Sequence, residues 1–311
     1  MKSRTSRFYA GALQHTYKIT KDFGILFYRL EDRLMMFTIR SMTARKHKMK
    51  VVCASYMYTH IHEVLLPVDK RQMDAYERDC DRLFVSSYNT DTGRTGPLFK
   101  REYGFSSKVS VKEQRNCIIY VLNNHPEKKL CRYAIDSRWN FLAYSNSAHP
   151  FSDPLNRHSA SYYLREAIKT VDMEFEAARY LKSQMIRSML KKLSRPAERE
   201  QLVDYIISRY MYCDFEYAVR LFGSYDNLVL ATQSMTGSEY DVGETYDKYS
   251  DVPYEEMTAL AERDGLLGCG MKVLHLQETE RMHYANRYRR LTSAAEKHIR
   301  AFFFRDSALE K

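Results

Sequence analysis

His60 and His62 flank a single isoleucine inside the apolar, aromatic run ASYMYTHIHEVLLP, residues 54–67. On a strand, residues two apart point to the same face, so the two imidazoles project together while Ile61 turns into the core. Two imidazoles on one sheet face hold a divalent cation when a third ligand arrives from elsewhere. In a chain with 10 histidines such a pair is a weak signal by itself, and two strand histidines without a metal are the plainer account. A second constellation lies in SVKEQRNCIIYVLNN, residues 110–124. Ser110 followed three residues later by Glu113 forms a capping box before an apolar run, which predicts a helix closed by Asn124 and Pro126. Tyr120 and Asn124 are four apart and share a face of it. If that face packs beside the histidine strand, Asn124 offers a carbonyl oxygen to a metal and Tyr120 a phenol next to it. A phenol with a pKa of about 10 is a poor nucleophile at neutral pH unless it is activated. A metal that polarises a phosphodiester makes its attack feasible. Read alone, Tyr120 is one of 25 tyrosines, and a core tyrosine is the simpler reading.

These residues need a sheet and a helix to bring them together, and the surrounding pattern supplies both. HTYKITKDFGILFY (15–28) alternates as a strand with a turn near Asp22-Phe23-Gly24. In EDRLMMFTIRSMTARKHK, Leu34, Phe37, Ile39 and Met42 fall on one helical face, with Glu31 and Asp32 suited to the first turn. MKVVCASYMYTHIHEVLLPV is β-branched and aromatic and reads as a strand or hairpin pair. DKRQMDAYERDCDRLFVSSYN is an amphipathic helix with Met73, Tyr76, Cys80, Leu83 and Phe84 as its stripe. The loop TDTGRTGPLFKREYG follows, held open by Gly93, Gly96 and Pro97. Strand, helix, strands, helix, loop, helix is an α/β arrangement with helices over one sheet face. Near NSAHPFSDP (146–154) proline, serine and asparagine cluster, and beyond it the periodicity is helical, apart from an acidic, turn-rich loop between Gly237 and Met257. We therefore divide the chain into residues 1–150 and an all-helical part, 151–311.

Composition narrows the partners. The 311 residues carry 49 Lys and Arg against 39 Asp and Glu, a net charge of +10. Residues 1–50 contain twelve bases and three acids, a surplus of nine. Such a balance favours polyanions such as nucleic acid or an anionic membrane surface, with a solvated basic surface that has no partner as the plainer account. Six scattered cysteines without a CxxC pair support neither a zinc ribbon nor a disulfide framework and suit a reducing cytoplasm. There is no apolar signal-peptide core, and no run reaches the ~18 apolar residues of a membrane span.

Taken in order, the His60-Ile61-His62 strand, the basic segment GRTGPLFKREYG, the helix NCIIYVLNNHPEKKLC and DSRWNFLAY resemble the single-tyrosine HUH transposases, especially REP-associated tyrosine transposases, over roughly residues 15–145. The resemblance implies a ferredoxin-like (RRM-like) antiparallel sheet and a metal-dependent endonuclease and strand transferase. Such an enzyme acts on single-stranded DNA beside hairpins. It places the histidine pair on His60 and His62, the nucleophile on Tyr120 and the third ligand on Asn124. It further implies Mg²⁺ or Mn²⁺, a 5′-phosphotyrosine intermediate and often a homodimer. The sequence departs from the family at Tyr58-Thr59, where Pro-Asn is usual, at Glu63, where an aliphatic residue is usual, and at His125, inserted before Pro126. The alternative consistent with those departures is a catalytically silent, host-adapted binder of hairpin or single-stranded DNA. For DNA contact the candidates are Arg94, Lys100, Arg101 and Tyr103, which mix phosphate neutralisation with an aromatic surface. The run Arg45, Lys46, Lys48, Lys50 is either a further contact or an ordinary solvated turn. The helical half offers aromatic stripes best read as core, and a basic stretch, Arg281 to Arg300, suited to DNA contact or a dimer face.

Overall fold

The computed structural model describes residues 7–21, 24–100, 103–156, 158–235, 250–268 and 270–304. Strand β1 spans Leu13–Ile19, helix α1 Leu30–His47, β2 Lys50–Tyr56, β3 His60–Leu66, α2 Lys70–Thr92, β4 Gly104–Lys108 and α3 Val111–Glu127. The strands form one antiparallel sheet in the order β2-β3-β1-β4. A β-α-β-β-α-β chain with that order is the ferredoxin-like arrangement, as expected, followed by helices. Local signals set the helix ends. Glu31 and Asp32 open α1 and Arg45, Lys46 and His47 close it, each complementing the helix dipole. Asp69 caps α2 by accepting from the Gln72 N–H, and Gly93, at φ 67, ends it in the left-handed region. The Ser110–Glu113 capping box starts α3, which runs three residues past Asn124 with Pro126 in its last turn.

Two segments differ from the sequence reading. The strand expected over 15–28 ends at Ile19. Beyond it Leu26 N–H donates to the Tyr58 carbonyl and Ile25 N–H to that of Ala301, so this apolar stretch is buried by long-range partners rather than by a ladder. Strand β4 begins where a loop was expected to end. Its sequence GFSSK lacks apolar alternation, and it is an edge strand, half-buried, held by pairing with β1, by the Ser107 hydroxyl donating to Gln14 Oε1 and by Phe105 against the core.

Register fixes the two faces of the sheet. Tyr17 stands opposite His62 and Ile19 opposite His60, whereas Lys18 stands opposite Ile61 and Thr16 opposite Glu63. Helices α1 and α2 cover the Ile61–Glu63 face, and α3 lies across the histidine face. After three short 3₁₀ turns between residues 134 and 145 come α4 (Tyr162–Glu176), α5 (Ser183–Lys192), α6 (Pro196–Arg209), α7 (Phe215–Phe222) and α8 (Tyr225–Met235). Their apolar faces join the sheet's own residues in one continuous core that includes Leu34, Phe37, Ile118, Leu164, Ile206 and Leu228. A second cluster packs α9 (Val252–Arg263), α10 (Glu278–Leu291) and α11 (Glu296–Phe303) against Ile25, Tyr28 and Tyr58. The acidic loop expected from Gly237 falls largely outside the described residues, and from Val252 the chain is helical. Among the described residues no helix is long and apolar enough to cross a membrane.

Candidate active site

β3 sets both imidazoles on one face, as the alternation requires. The His60 and His62 rings lie edge to face with centroids 4.8 Å apart. Helix α3 brings the Tyr120 ring to 5.5 Å from His62, nearly perpendicular to it. Asn124 sits one turn further on, 6% exposed, with its Nδ2 donating to the Tyr120 and Val121 carbonyls at 3.1 and 3.3 Å. Those bonds use the amide nitrogen, while the oxygen is the atom a cation would take. The Tyr120 ring and the two imidazoles therefore meet where β3 faces α3, with Asn124 one helical turn beyond Tyr120.

The sequence reading missed a third histidine here. His15 on β1 stacks on His62 at 5.1 Å, its Nε2 lies 3.0 Å from His62 Nδ1, and its ring meets Tyr120 at 5.7 Å. Tyr17 completes the wall, 6.4 Å from His62. The signal was present: His15-Thr16-Tyr17 has the same two-residue spacing as His60-Ile61-His62, on the strand that turns out to be β3's neighbour. Tyr17 also explains Gly104. A Cβ on Gly104 would come within 2.0 Å of the Tyr17 ring, so β4 needs glycine where that ring crosses it.

Burial keeps the His62 and His15 imidazoles neutral. His62 is driven well below the ordinary histidine value by desolvation, with His60, His15, Lys128 and His125 adding repulsion. His15 is pushed down to about 3 by burial and then by Lys108. Neutral imidazole is the form that ligates metal. In His62 one nitrogen is occupied by His15, and Nε2 is buried with no hydrogen-bond partner; in His60, Nδ1 bonds to Thr59 Oγ1 at 2.9 Å. Fixing one ring nitrogen so that the other is presented is how metal-binding histidines are oriented. The described residues contain no group of three His, Cys, Asp or Glu side chains arranged to hold a metal. A cation at His60 and His62 would therefore need a third ligand of another type, and a carboxamide such as that of Asn124 is of such a type.

Each departure from the family pattern has a structural role. Tyr58 is buried, its ring under the Arg33 guanidinium at 4.7 Å and beside Tyr254 at 5.6 Å, so it docks α9. Thr59 orients His60. His125 bonds to Ser55 Oγ and to the Tyr56 carbonyl, both at 3.2 Å, and locks the end of α3 onto β2. Glu63, 1% exposed, enters the layer beneath the sheet. Its carboxylate takes a guanidinium N–H from Arg40 at 2.5 Å and hydroxyls from Tyr76 at 3.0 Å and Tyr212 at 2.7 Å. Burial pushes this carboxyl up and Arg40 opposes it, while the guanidinium itself is held firmly protonated by Glu63 and Glu77 against desolvation.

The DNA-contact candidates do not gather as one group. Lys100 is exposed and its N–H donates to the Ile19 carbonyl, at the end of β1 that pairs with His60. Arg94 is half-buried in the α2 cap, bonding to Asn89 Oδ1 at 3.3 Å. Tyr103 donates to Asp74 on α2 and so is tied to the opposite side of the sheet. Arg101 lies outside the described residues.

No protein-family model matches the sequence, and no curated protein matches it. Among solved structures, a REP-associated tyrosine transposase bound to a REP hairpin is similar over 52% of this chain and 97% of that chain, with 11% identity and a TM-score of 0.40.

Proposed function

We propose that this chain is a single-stranded DNA endonuclease and strand transferase of the HUH type, with Tyr120 as nucleophile. The observation that carries the reading is the buried, unpartnered Nε2 of His62 in a ring packed against Tyr120. A buried polar atom left unsatisfied costs stability, and such groups mark sites kept for chemistry. The Tyr120 oxygen attacks the phosphorus as the bond to O3′ breaks. The phenol's proton ends on the 3′-oxygen, and the products are a 5′-phosphotyrosine and a free 3′-hydroxyl. Attack by the 3′-hydroxyl of another strand reverses the step and joins strands. His60, His62 and Asn124 would hold a divalent cation, Mg²⁺ or Mn²⁺, which supplies Lewis-acid polarisation of the phosphate; the two imidazoles favour manganese, since magnesium prefers oxygen ligands. His15 sets the tautomer of His62, and Thr59 that of His60. Lys100, at the end of β1 beside His60, supplies a contact to the DNA strand, with Arg94 and Arg101 from the same segment of the sequence. Residues 1–150 form the nuclease unit, residues 151–311 brace it, and the protein works in the cytoplasm, as a homodimer.

The test is direct. Incubated with hairpin-flanked single-stranded DNA and Mn²⁺ or Mg²⁺, the protein should form a covalent adduct that survives denaturation and disappears in Tyr120→Phe. DNA binding without an adduct across varied sites would instead establish the silent binder. An adduct that persists in Tyr120→Phe would move the nucleophile elsewhere, and Tyr17 would be next in line.

A further inference from the structure

On the side of the sheet away from the histidines, α1, α2 and the segment joining α4 to α5 enclose a cleft of about 880 Å³. Its rim carries five exposed cations: Arg45 and Lys46 from α1, Arg82 from α2, and Arg179 and Lys182 from the joining segment. Two carboxylates answer them. Glu174 pairs with Arg179 at 2.8 Å, and Asp79 meets Lys46 at 2.6 Å and Arg82 at 3.9 Å. The surplus is three positive charges (five minus two). The floor is apolar, with Met42, Leu83 and Met185, and Tyr180 stands in the wall, its hydroxyl fixed 2.7 Å from Ser87 Oγ. The turn that carries Arg179 to the rim passes through Ala178 at φ 55, a left-handed conformation that alanine adopts at a cost.

Helix dipoles account for Arg45 and Lys46 at the end of α1, but not for the convergence of three elements on one concave surface. We propose that this cleft is a second nucleic-acid site, which binds the sugar–phosphate backbone of single-stranded DNA outside the catalytic face. The proposal rests on the nuclease reading only for the choice of DNA as ligand. A cationic rim above an apolar, tyrosine-bearing floor suits alternating phosphates and unpaired bases, and guanidinium forks grip phosphate oxygens in pairs. Arg45 and Lys46 of the basic run thus acquire a role alongside residues of the helical half.

The experiment uses the full chain and a fluorescein-labelled oligothymidylate, with affinity measured by anisotropy across a salt series. In Arg45→Gln/Arg82→Gln/Lys182→Gln, three lost phosphate contacts should lower the log–log salt slope by about 2 and weaken binding at least ~10-fold at low salt. Glu174→Gln should strengthen binding about twofold. If the triple variant unfolds, the single variants Arg45→Gln and Lys182→Gln should each lower the slope by about 0.7. A slope and affinity unchanged in folded variants would overturn the proposal. So would loss of binding to phosphatidylserine vesicles with DNA binding intact, since the surface would then be a membrane contact. The covalent-adduct assay at Tyr120 is independent: its failure leaves the cleft result standing, and the reverse.

Discussion

Two neighbouring residues of β3, Glu63 and His62, are buried on opposite faces with different degrees of hydrogen bonding. Beneath the sheet, both oxygens of Glu63 accept hydrogen bonds, from Arg40, Tyr76 and Tyr212, and Tyr212 also meets the Tyr56 hydroxyl at 2.8 Å. Above it, His62 has one nitrogen engaged and one buried without a partner. A fully bonded buried charge specifies structure, because breaking it strands its partner. A half-bonded buried ring is tolerated where something else is meant to complete it. Adjacent residues of one strand thus differ: Glu63 has both carboxylate oxygens bonded, and His62 has a single ring nitrogen bonded.

That contrast is open to attack by mutation. The largest effect is expected from Arg40→Leu, which removes the buried guanidinium shared by Glu63 and Glu77 and leaves Glu63 only the Tyr76 and Tyr212 hydroxyls; it should cost about 3–5 kcal/mol in chemical denaturation, and a loss below about 1 kcal/mol would mean that the carboxylate is not held as described. Next comes Gly104→Ala, which forces the Tyr17 ring off β4 and should cost about 1–3 kcal/mol. In a double-mutant cycle with Tyr17→Ala the Gly104 effect should shrink to about 0.5 kcal/mol or less, and persistence of the full effect would locate the strain in the backbone instead.

On the upper face the expectation inverts. His62→Leu removes the orphaned nitrogen and should change stability by no more than about 1 kcal/mol, while abolishing the DNA adduct. A loss as large as that of Arg40→Leu would erase the distinction between the faces. The smallest effect concerns the surface. Hydrogen bonds from Lys46 and then His47 hold the Asp79 carboxyl down to about 2. Its contribution is therefore complete above the unfolded value of about 3.8 and lost as pH falls through 2. Because Lys46 is solvent-exposed, Asp79→Asn should cost only about 0.5 kcal/mol at neutral pH, and the two proteins' stabilities should converge in acid.

Much of this was legible before any coordinates. Helices α1, α2 and α3 announced themselves through apolar periodicity and through the Ser110–Glu113 box, because helix signals are local. The histidine strand was legible from composition, and the spacing of Tyr120 and Asn124 put them on one face of α3, while their connection to the histidines came only from the family resemblance. What stayed hidden depends on partners distant in sequence. His15 contributes only because β1 pairs with β3, 47 residues away, and nothing in HTYKI reveals its neighbour. Strand β4 was invisible because GFSSK has no pattern of its own and borrows its register from β1. Glu63 was ambiguous between a solvated strand end and a charge under the sheet. Only Arg40 decides, and a lone arginine within an apolar helix names no partner.

The clamp formed by Tyr28 with Phe302, and by Ile25 with Ala301, has a consequence for how the protein is made. The loop that leads away from β1 is roofed by residues that leave the ribosome 274 positions after Tyr28, and Tyr58 is covered by Tyr254 of α9. Until they arrive, the nascent chain carries an uncovered aromatic seam at the edge of its histidine strand. Burial of Ile25, Tyr28 and Tyr58 then waits on α9 to α11, and a stop within those helices would release a product that chaperones recognise by that seam.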